Sequence, residues 1–146
     1  MRWLFSTPAK IDHARVVAAI HQAEQKTSGE IRVLIARHRT SEPLAAARRH
    51  FHRLGMSKTR HRNAVLIFLA PRSRRFAVIG DRGVHEKCGD AFWSELAAAM
   101  AEDFKKGEFT HGLCRGIERA GELLARHFPR ENGDADHPPD EVEEVD

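Results

Sequence analysis

The chain has 146 residues, 41% of them hydrophobic and 31% charged, which is the size of one domain with a core of its own. Its two cysteines, Cys88 and Cys114, follow neither a Cys-x-x-Cys nor a Cys/His metal spacing, so reduced thiols in a cytoplasmic protein are expected rather than a disulfide partner or a zinc site. No apolar run approaches the roughly 20 residues of a membrane span, Met1-Arg-Trp-Leu-Phe5 is too short for a signal peptide, and the formal net charge is +3.

Thr7-Pro8 predicts a helix start, a hydroxyl cap followed by proline in the first turn. Ile11, Ala14, Val17, Ala18 and His21 then recur at helical spacing as its inward face, through about Lys26. Thr27-Ser-Gly29 stops it. Residues 30–36 alternate and then turn continuously apolar, which predicts the first strand. Ser41-Glu-Pro43 opens a second helix with Leu44, Ala47, Phe51 and Leu54 on one face and Gly55 after it. Asn63-Ala-Val-Leu-Ile-Phe-Leu-Ala70 is the most apolar stretch and carries no charge, as a strand buried on both faces would. Pro71-Arg-Ser-Arg74 suits a hairpin turn, and Arg75-Phe-Ala-Val-Ile79 a strand nearer a sheet edge. Gly80-Asp-Arg-Gly83 ends that strand, with glycines expected where the backbone adopts conformations a Cβ forbids. Residues 80–90 are expected as a loop. Trp93, Leu96, Met100 and Phe104 mark a third helix, stopped near Gly107. Thr110 is the expected cap of a fourth, with Leu113, Ile117, Ala120, Leu124 and Phe128 inward and Pro129 ending it.

Residues 131–146 hold eight acidic side chains and no Lys or Arg; removing those eight from the 21 acidic residues leaves 13 against 24 basic ones, so residues 1–130 carry +11. With Pro138-Pro139 and few large apolar groups, this acidic tail is expected to be disordered beyond a folded domain of residues 1–130. The element order α-β-α-β-β-α-α predicts an α/β protein, an α/β/α sandwich with a small mixed sheet. The first two strands flank a helical crossover and should be parallel, and the hairpin makes the third antiparallel.

That topology brings Ser28-Gly-Glu30, residues 58–63 and residues 80–90 to one rim of the sheet. Glu30, Asp81, Glu86 and Asp90 could supply oxygens to a hard cation. The plainer alternative has Asp90 capping the third helix, Asp81 bonding turn amides and Glu30 pairing with Lys58 or Arg60. Lys58, Arg60, Arg62 and Arg82 suit a phosphate or another anion. Ser28 and Cys88 are candidate nucleophiles and His85 a candidate general acid or base, but neither a Cys-x5-Arg loop nor an Asp-x-Asp pattern is present. Arg48, Arg49, Arg53, Arg72, Arg74 and Arg75 read most simply as a solvated basic surface. Nucleic acid is a disfavoured partner, because no aromatics interleave with these cations for base stacking.

The assembled motifs resemble the TPM domain family. Thr27-Ser-Gly-Glu-Ile31, Leu54-Gly-Met56 followed by Arg62-Asn-Ala-Val-Leu-Ile-Phe-Leu-Ala-Pro71, Arg75-Phe-Ala-Val-Ile-Gly-Asp-Arg-Gly83 and Phe104-Lys-Lys-Gly-Glu-Phe-Thr-His-Gly112 carry the resemblance, over about residues 8–128. It implies an α/β/α sandwich, with acid phosphatase activity, calcium binding and upkeep of membrane protein complexes as the family's known roles. The chain departs from the family where Gly80-Asp-Arg-Gly83 replaces a Gly-Tyr-Gly loop and Ala64 a glycine. The expectation is a binding or accessory module. It would hold calcium or another divalent cation, or an acidic or phosphate-bearing partner such as a membrane-complex component, with no organic cofactor. The alternatives are a metal-assisted acid phosphatase and, less favoured, nucleic-acid binding through the basic body.

Overall fold

The computed structural model describes residues 10–131 and 142–146. In chain order the elements are α1 (His13–Glu24), β1 (Ile31–Ala36), α2 (Pro43–Arg53), β2 (Val65–Ala70), β3 (Arg75–Gly80), α3 (Arg82–Cys88), α4 (Asp90–Lys105), α5 (Phe109–His127) and β4 (Val142–Val145). The expected order is present, with α3 and β4 added to it. The sheet runs β3-β2-β1-β4. β1 pairs in parallel with β2 and with β4, and β2 pairs antiparallel with β3.

Strand alternation divides the core in two. Ile31, Val33, Ile35, Val65, Ile67 and Leu69 face α1, α4 and α5, where Ile20, Leu96, Met100, Leu113, Ile117 and Leu124 meet them. Leu34, Leu66, Phe68 and Ala70 face the other way, onto Ala46, Ala47 and Phe51 of α2 and onto Met56. All six residues of β1 and all six of β2 are buried, which is why both runs lose the alternation of a half-wet strand. β3 lies at an edge and is partly exposed, as Arg74 and Arg75 at its entrance suggest. The β2–β3 link is a tight 3-10 turn over Pro71–Ser73, with Arg74 left-handed at φ 50°.

Several expectations are corrected. Thr7-Pro8 lies outside the described residues; α1 is capped by Asp12, whose carboxylate accepts the Arg15 N–H at 3.1 Å. Its inner face is Val16, Ile20 and Ala23, not Ala14, Ala18 and His21, which are exposed. An alanine-rich helix offers two nearly equal apolar faces, and the close approach of α5 decides between them: a Cβ on Gly121 would stand 2.7 Å from the Ala23 Cβ. Leu44 is likewise 45% exposed rather than inward. Thr110 does not cap α5 but accepts the Asp12 N–H at 3.0 Å.

Residues 80–90 are not an open loop: α3 occupies most of them. Gly80 and Gly83 have no left-handed φ; they are small because neighbours press on them. A Cβ on Gly83 would lie 2.3 Å from the His61 carbonyl oxygen, and one on Gly80 would lie 2.2 Å from Trp93 Cη2. The acidic tail is not wholly disordered, since Val142–Val145 form β4. The β1 edge offers unpaired backbone groups, Val145 is 6% exposed, and Arg53 and Arg37 hold Glu143 and Asp146 at 3.1 Å each. Residues 132–141 of that tail lie outside the described residues.

Candidate functional site

The strand register decides where the predicted stretches go. Ile31 stands opposite Val65, and Val65 opposite Gly80, so the starts of β1 and β2 and the end of β3 share one row. Just beyond that row, the Val65 N–H donates to the Glu30 carbonyl at 2.8 Å and the Asp81 N–H to the Ala64 carbonyl at 3.0 Å. Ser28, Asn63, Asp81 and Gly83 are thereby gathered at one rim. The buried Asn63 amide donates to Ser28 Oγ at 3.1 Å, and the Gly83 N–H to the Arg62 carbonyl at 2.9 Å.

The strongest contact at the rim is between Arg62 and Asp81. Arg62 has a left-handed backbone, φ 53°, and its guanidinium reaches Asp81 with two parallel bonds, Nε to Oδ2 at 2.6 Å and Nη2 to Oδ1 at 2.8 Å. The Arg82 N–H adds a third bond to Oδ1 at 2.8 Å, so Asp81 caps α3 as well. Burial works against ionising Asp81, but the bonds and charges of Arg62 and Arg82 outweigh it and hold the carboxyl below its ordinary range. Both oxygens of Asp81 are therefore engaged by protein donors.

Next to this clamp an open cavity of about 290 Å³ is lined by Ser28, His61, Gly83, Lys87, Phe128 and Glu131, among others. The buried Thr27 ties two of the neighbouring segments together: its hydroxyl donates to the Phe128 carbonyl and accepts the Gly29 N–H at 3.0 Å. Lys87 Nζ sits 5.7 Å above the Phe128 ring. Glu131, the first residue of the acidic tail, meets Arg60 Nη2 at 2.9 Å and His61 Nε2 at 2.5 Å. The bonds from His61 and then Arg60 hold the Glu131 carboxyl below its usual value. Sequence reasoning did not single out His61 or Glu131 for this rim; the +11 body beside an acidic tail was the signal that could have paired them.

The remaining predicted residues are placed as follows. Glu30 is buried, and Glu86 and Asp90 are exposed, Glu86 at the cavity and Asp90 in the first turn of α4. Gly89, at φ 74°, rather than Asp90 holds the cap position of α4. Lys58 and Arg82 are exposed. His85 accepts the Trp93 indole N–H at 3.1 Å and packs against that ring at a tilt of 41°, so it ties α3 to α4. Burial pushes the thiols of Cys88 and Cys114 up, away from the thiolate.

Among the described residues, one group of three side chains brings ligating atoms within 4.8 Å of one another: Asp103, Glu108 and His111, where α4 turns into α5. Asp103 is 3% exposed, and its Oδ2 lies 3.0 Å from His111 Nδ1 and 3.2 Å from Arg115 Nη1. No motif in the sequence marks this corner, whose members come together at the Gly107 turn. No helix among the described residues is long and apolar enough to cross a membrane.

The TPM domain profile matches residues 8–123. The solution structure of the BA42 protein from the psychrophilic bacterium Bizionia argentinensis is similar at 36% identity, with a TM-score of 0.83 over 92% of this chain and 95% of that one. Two more distant structures share the fold. The N-terminal domain of cg2496 from Corynebacterium glutamicum has 17% identity and a TM-score of 0.60, covering 85% of this chain and 77% of that one. An N-terminal domain from P. gingivalis has 15% identity and a TM-score of 0.63, covering 88% and 83%. No curated protein sequence matches the chain. With the profile spanning most of its length and BA42 related along nearly all of it, the chain belongs to the TPM domain family.

Proposed function

We propose that this TPM domain is a binding module whose rim takes up an acidic partner, a carboxylate-rich or phosphorylated segment of another protein. The observation that carries the reading is Glu131, a carboxylate supplied by the chain itself and held by Arg60 and His61 beside the cavity over Ser28 and Gly83. Lys87 and the exposed Lys58 and Arg82 add positive charge to the same rim. Arg62 is committed to Asp81 and acts as a fixed support rather than as a ligand-binding cation. The reading is of binding rather than turnover, since Ser28 accepts the Asn63 amide, His85 is engaged by Trp93 and the Cys88 thiol is disfavoured as a thiolate.

Titration of the ¹⁵N-labelled protein with an oligoglutamate peptide and with a phosphoserine peptide tests this. Shifts should saturate at Ser28, His61, Gly83 and Lys87, and Glu131→Gln should tighten binding by removing the internal competitor. Wild type and Glu131→Gln that both leave these resonances in place at low salt would overturn the proposal.

A second reading is favoured by the corner of Asp103, Glu108 and His111. Two carboxylates and an imidazole suit zinc or a similar ion better than calcium, which wants six to eight oxygens. The rim carboxylates fit calcium poorly too, because Asp81 is saturated by Arg62 and Arg82. Calorimetry with zinc and with calcium separates the two ions. Zinc heat abolished in His111→Ala supports this reading, and no heat with either ion refutes it.

A further inference from the structure

A second basic feature lies at the opposite end of the strands. An open cleft of about 710 Å³ sits beyond the carboxyl ends of β1 and β2. That volume is in the range of sites for small molecules. Lys10, Arg37, Arg72, His13 and His38 line it, with Glu144 as its acidic member. β1 is also where the sheet changes direction. The chain leaves β1 through α2 on one face to reach β2, whereas β4 on the other side follows the helices of the opposite face. In open sheets with parallel strands, this switch point opens a crevice outside the carboxyl ends where ligands bind.

The cleft already holds an anion of the chain's own. The Glu144 carboxylate bridges His13 Nε2 at 3.1 Å and Arg37 Nε at 3.5 Å. Asp146 meets Arg37 Nη1 at 3.1 Å and His38 Nε2 at 3.6 Å. These side chains are 43% to 77% exposed, so each pair is weak and exchangeable. Because β4 covers the β1 edge, what stays open is a cleft rather than a strand edge.

We propose that this cleft binds a small phosphate-bearing molecule of mononucleotide size, with Glu144 and Asp146 as internal competitors for its cations. Arg37 is placed to form a two-pronged contact with a phosphate, and Arg72 and Lys10 supply charge across the opening. The apolar wall from Ile35, Ala36 and Pro71 leaves room for a body attached to the phosphate.

The test is ¹⁵N NMR titration of the full chain, with inorganic pyrophosphate and with AMP as separate probes and adenosine as the uncharged control. Saturable shifts are expected at residues 36–38 and at Arg72 with both phosphates and not with adenosine. Tighter binding of AMP than of pyrophosphate would assign the apolar wall to the attached body; the reverse would reduce the ligand to the phosphate group alone and overturn the size assignment. Arg72→Ala should weaken binding about tenfold, and Glu144→Gln should strengthen it by a similar factor. Arg72 lies in an exposed turn, so its variant should keep the fold. Absence of shifts at residues 36–38 in both wild type and Glu144→Gln overturns the proposal. So do shifts spread without saturation over all basic residues. Shifts confined to Ser28 and Gly83 overturn it too, while leaving the rim reading intact.

Discussion

Replacing Asp81 by alanine should cost the fold about 3 kcal/mol and lower its melting temperature by about 10 °C. The carboxylate is 6% exposed and does two jobs at once. As the cap of α3 it contributes about 1 kcal/mol. As the acceptor of two charge-assisted bonds from Arg62 it contributes about 1.5–3 kcal/mol per bond where both partners are buried. Arg62 is 36% exposed, so water recovers much of what its guanidinium loses, and that second contribution falls toward the low end. The carboxyl titrates lower in the folded state than in the unfolded chain, where it titrates near 4. Its stabilisation is therefore complete above about pH 4 and disappears as pH falls through the lower folded value. Melting followed by circular dichroism should show a gap between wild type and Asp81→Ala at pH 7 that closes under strong acid. Asp81→Asn should keep most of the gap, because its amide sets an N–H against the Arg62 Nε–H. A variant melting within about 2 °C of wild type at pH 7, or a gap that persists unchanged at about pH 2, would refute the argument.

Gly83→Ala should destabilise by about 1–3 kcal/mol, because its Cβ meets backbone oxygens of His61 and Arg62 at 2.3 and 2.6 Å. Gly80→Ala meets a half-buried indole that can tilt, so urea melts should find it the milder change. Both thiols should react with Ellman's reagent at pH 7.5 more slowly than free cysteine and at full rate once the protein is denatured; a fast native phase would contradict their burial. Truncation before Val142 should uncover the β1 edge and remove the buried Val145, costing about 2 kcal/mol and promoting self-association, read by melting and by light scattering; a monomer of unchanged stability would show that β4 contributes nothing.

Much of this protein is legible in one dimension. The continuously apolar runs Val33-Leu-Ile-Ala36 in β1 and Val65-Leu-Ile-Phe-Leu-Ala70 in β2 announce strands covered on both faces, since a doubly buried strand abandons alternation. Arg74 and Arg75 at the entrance to β3 announce an edge, and the helix–strand–helix–strand–strand order compels the parallel pair and the common rim through chain direction alone. The rotation of α1 was not legible, because alanines mark a helix without marking a face and the choice falls to the contact with Gly121. The helical state of residues 82–88 was hidden as well, since glycines that signal flexibility in sequence serve here to admit the His61 carbonyl and the Trp93 ring. Capping of α1 by Asp12, and the corner of Asp103, Glu108 and His111, depend on how helices meet.

The sequence by itself determined the two buried strands, the hairpin, the basic body with its acidic tail and the gathering of Ser28, Asn63, Asp81 and Gly83. Local apolar pattern and strand direction suffice for these. Only the tertiary structure decided that Asp81 is locked to Arg62, that Glu131 and Glu144 sit on cations at opposite ends of the sheet, and that the end of the tail becomes a strand. Such pairings join groups far apart in the chain, and their partners are chosen by proximity after packing, which a linear pattern of charge does not encode.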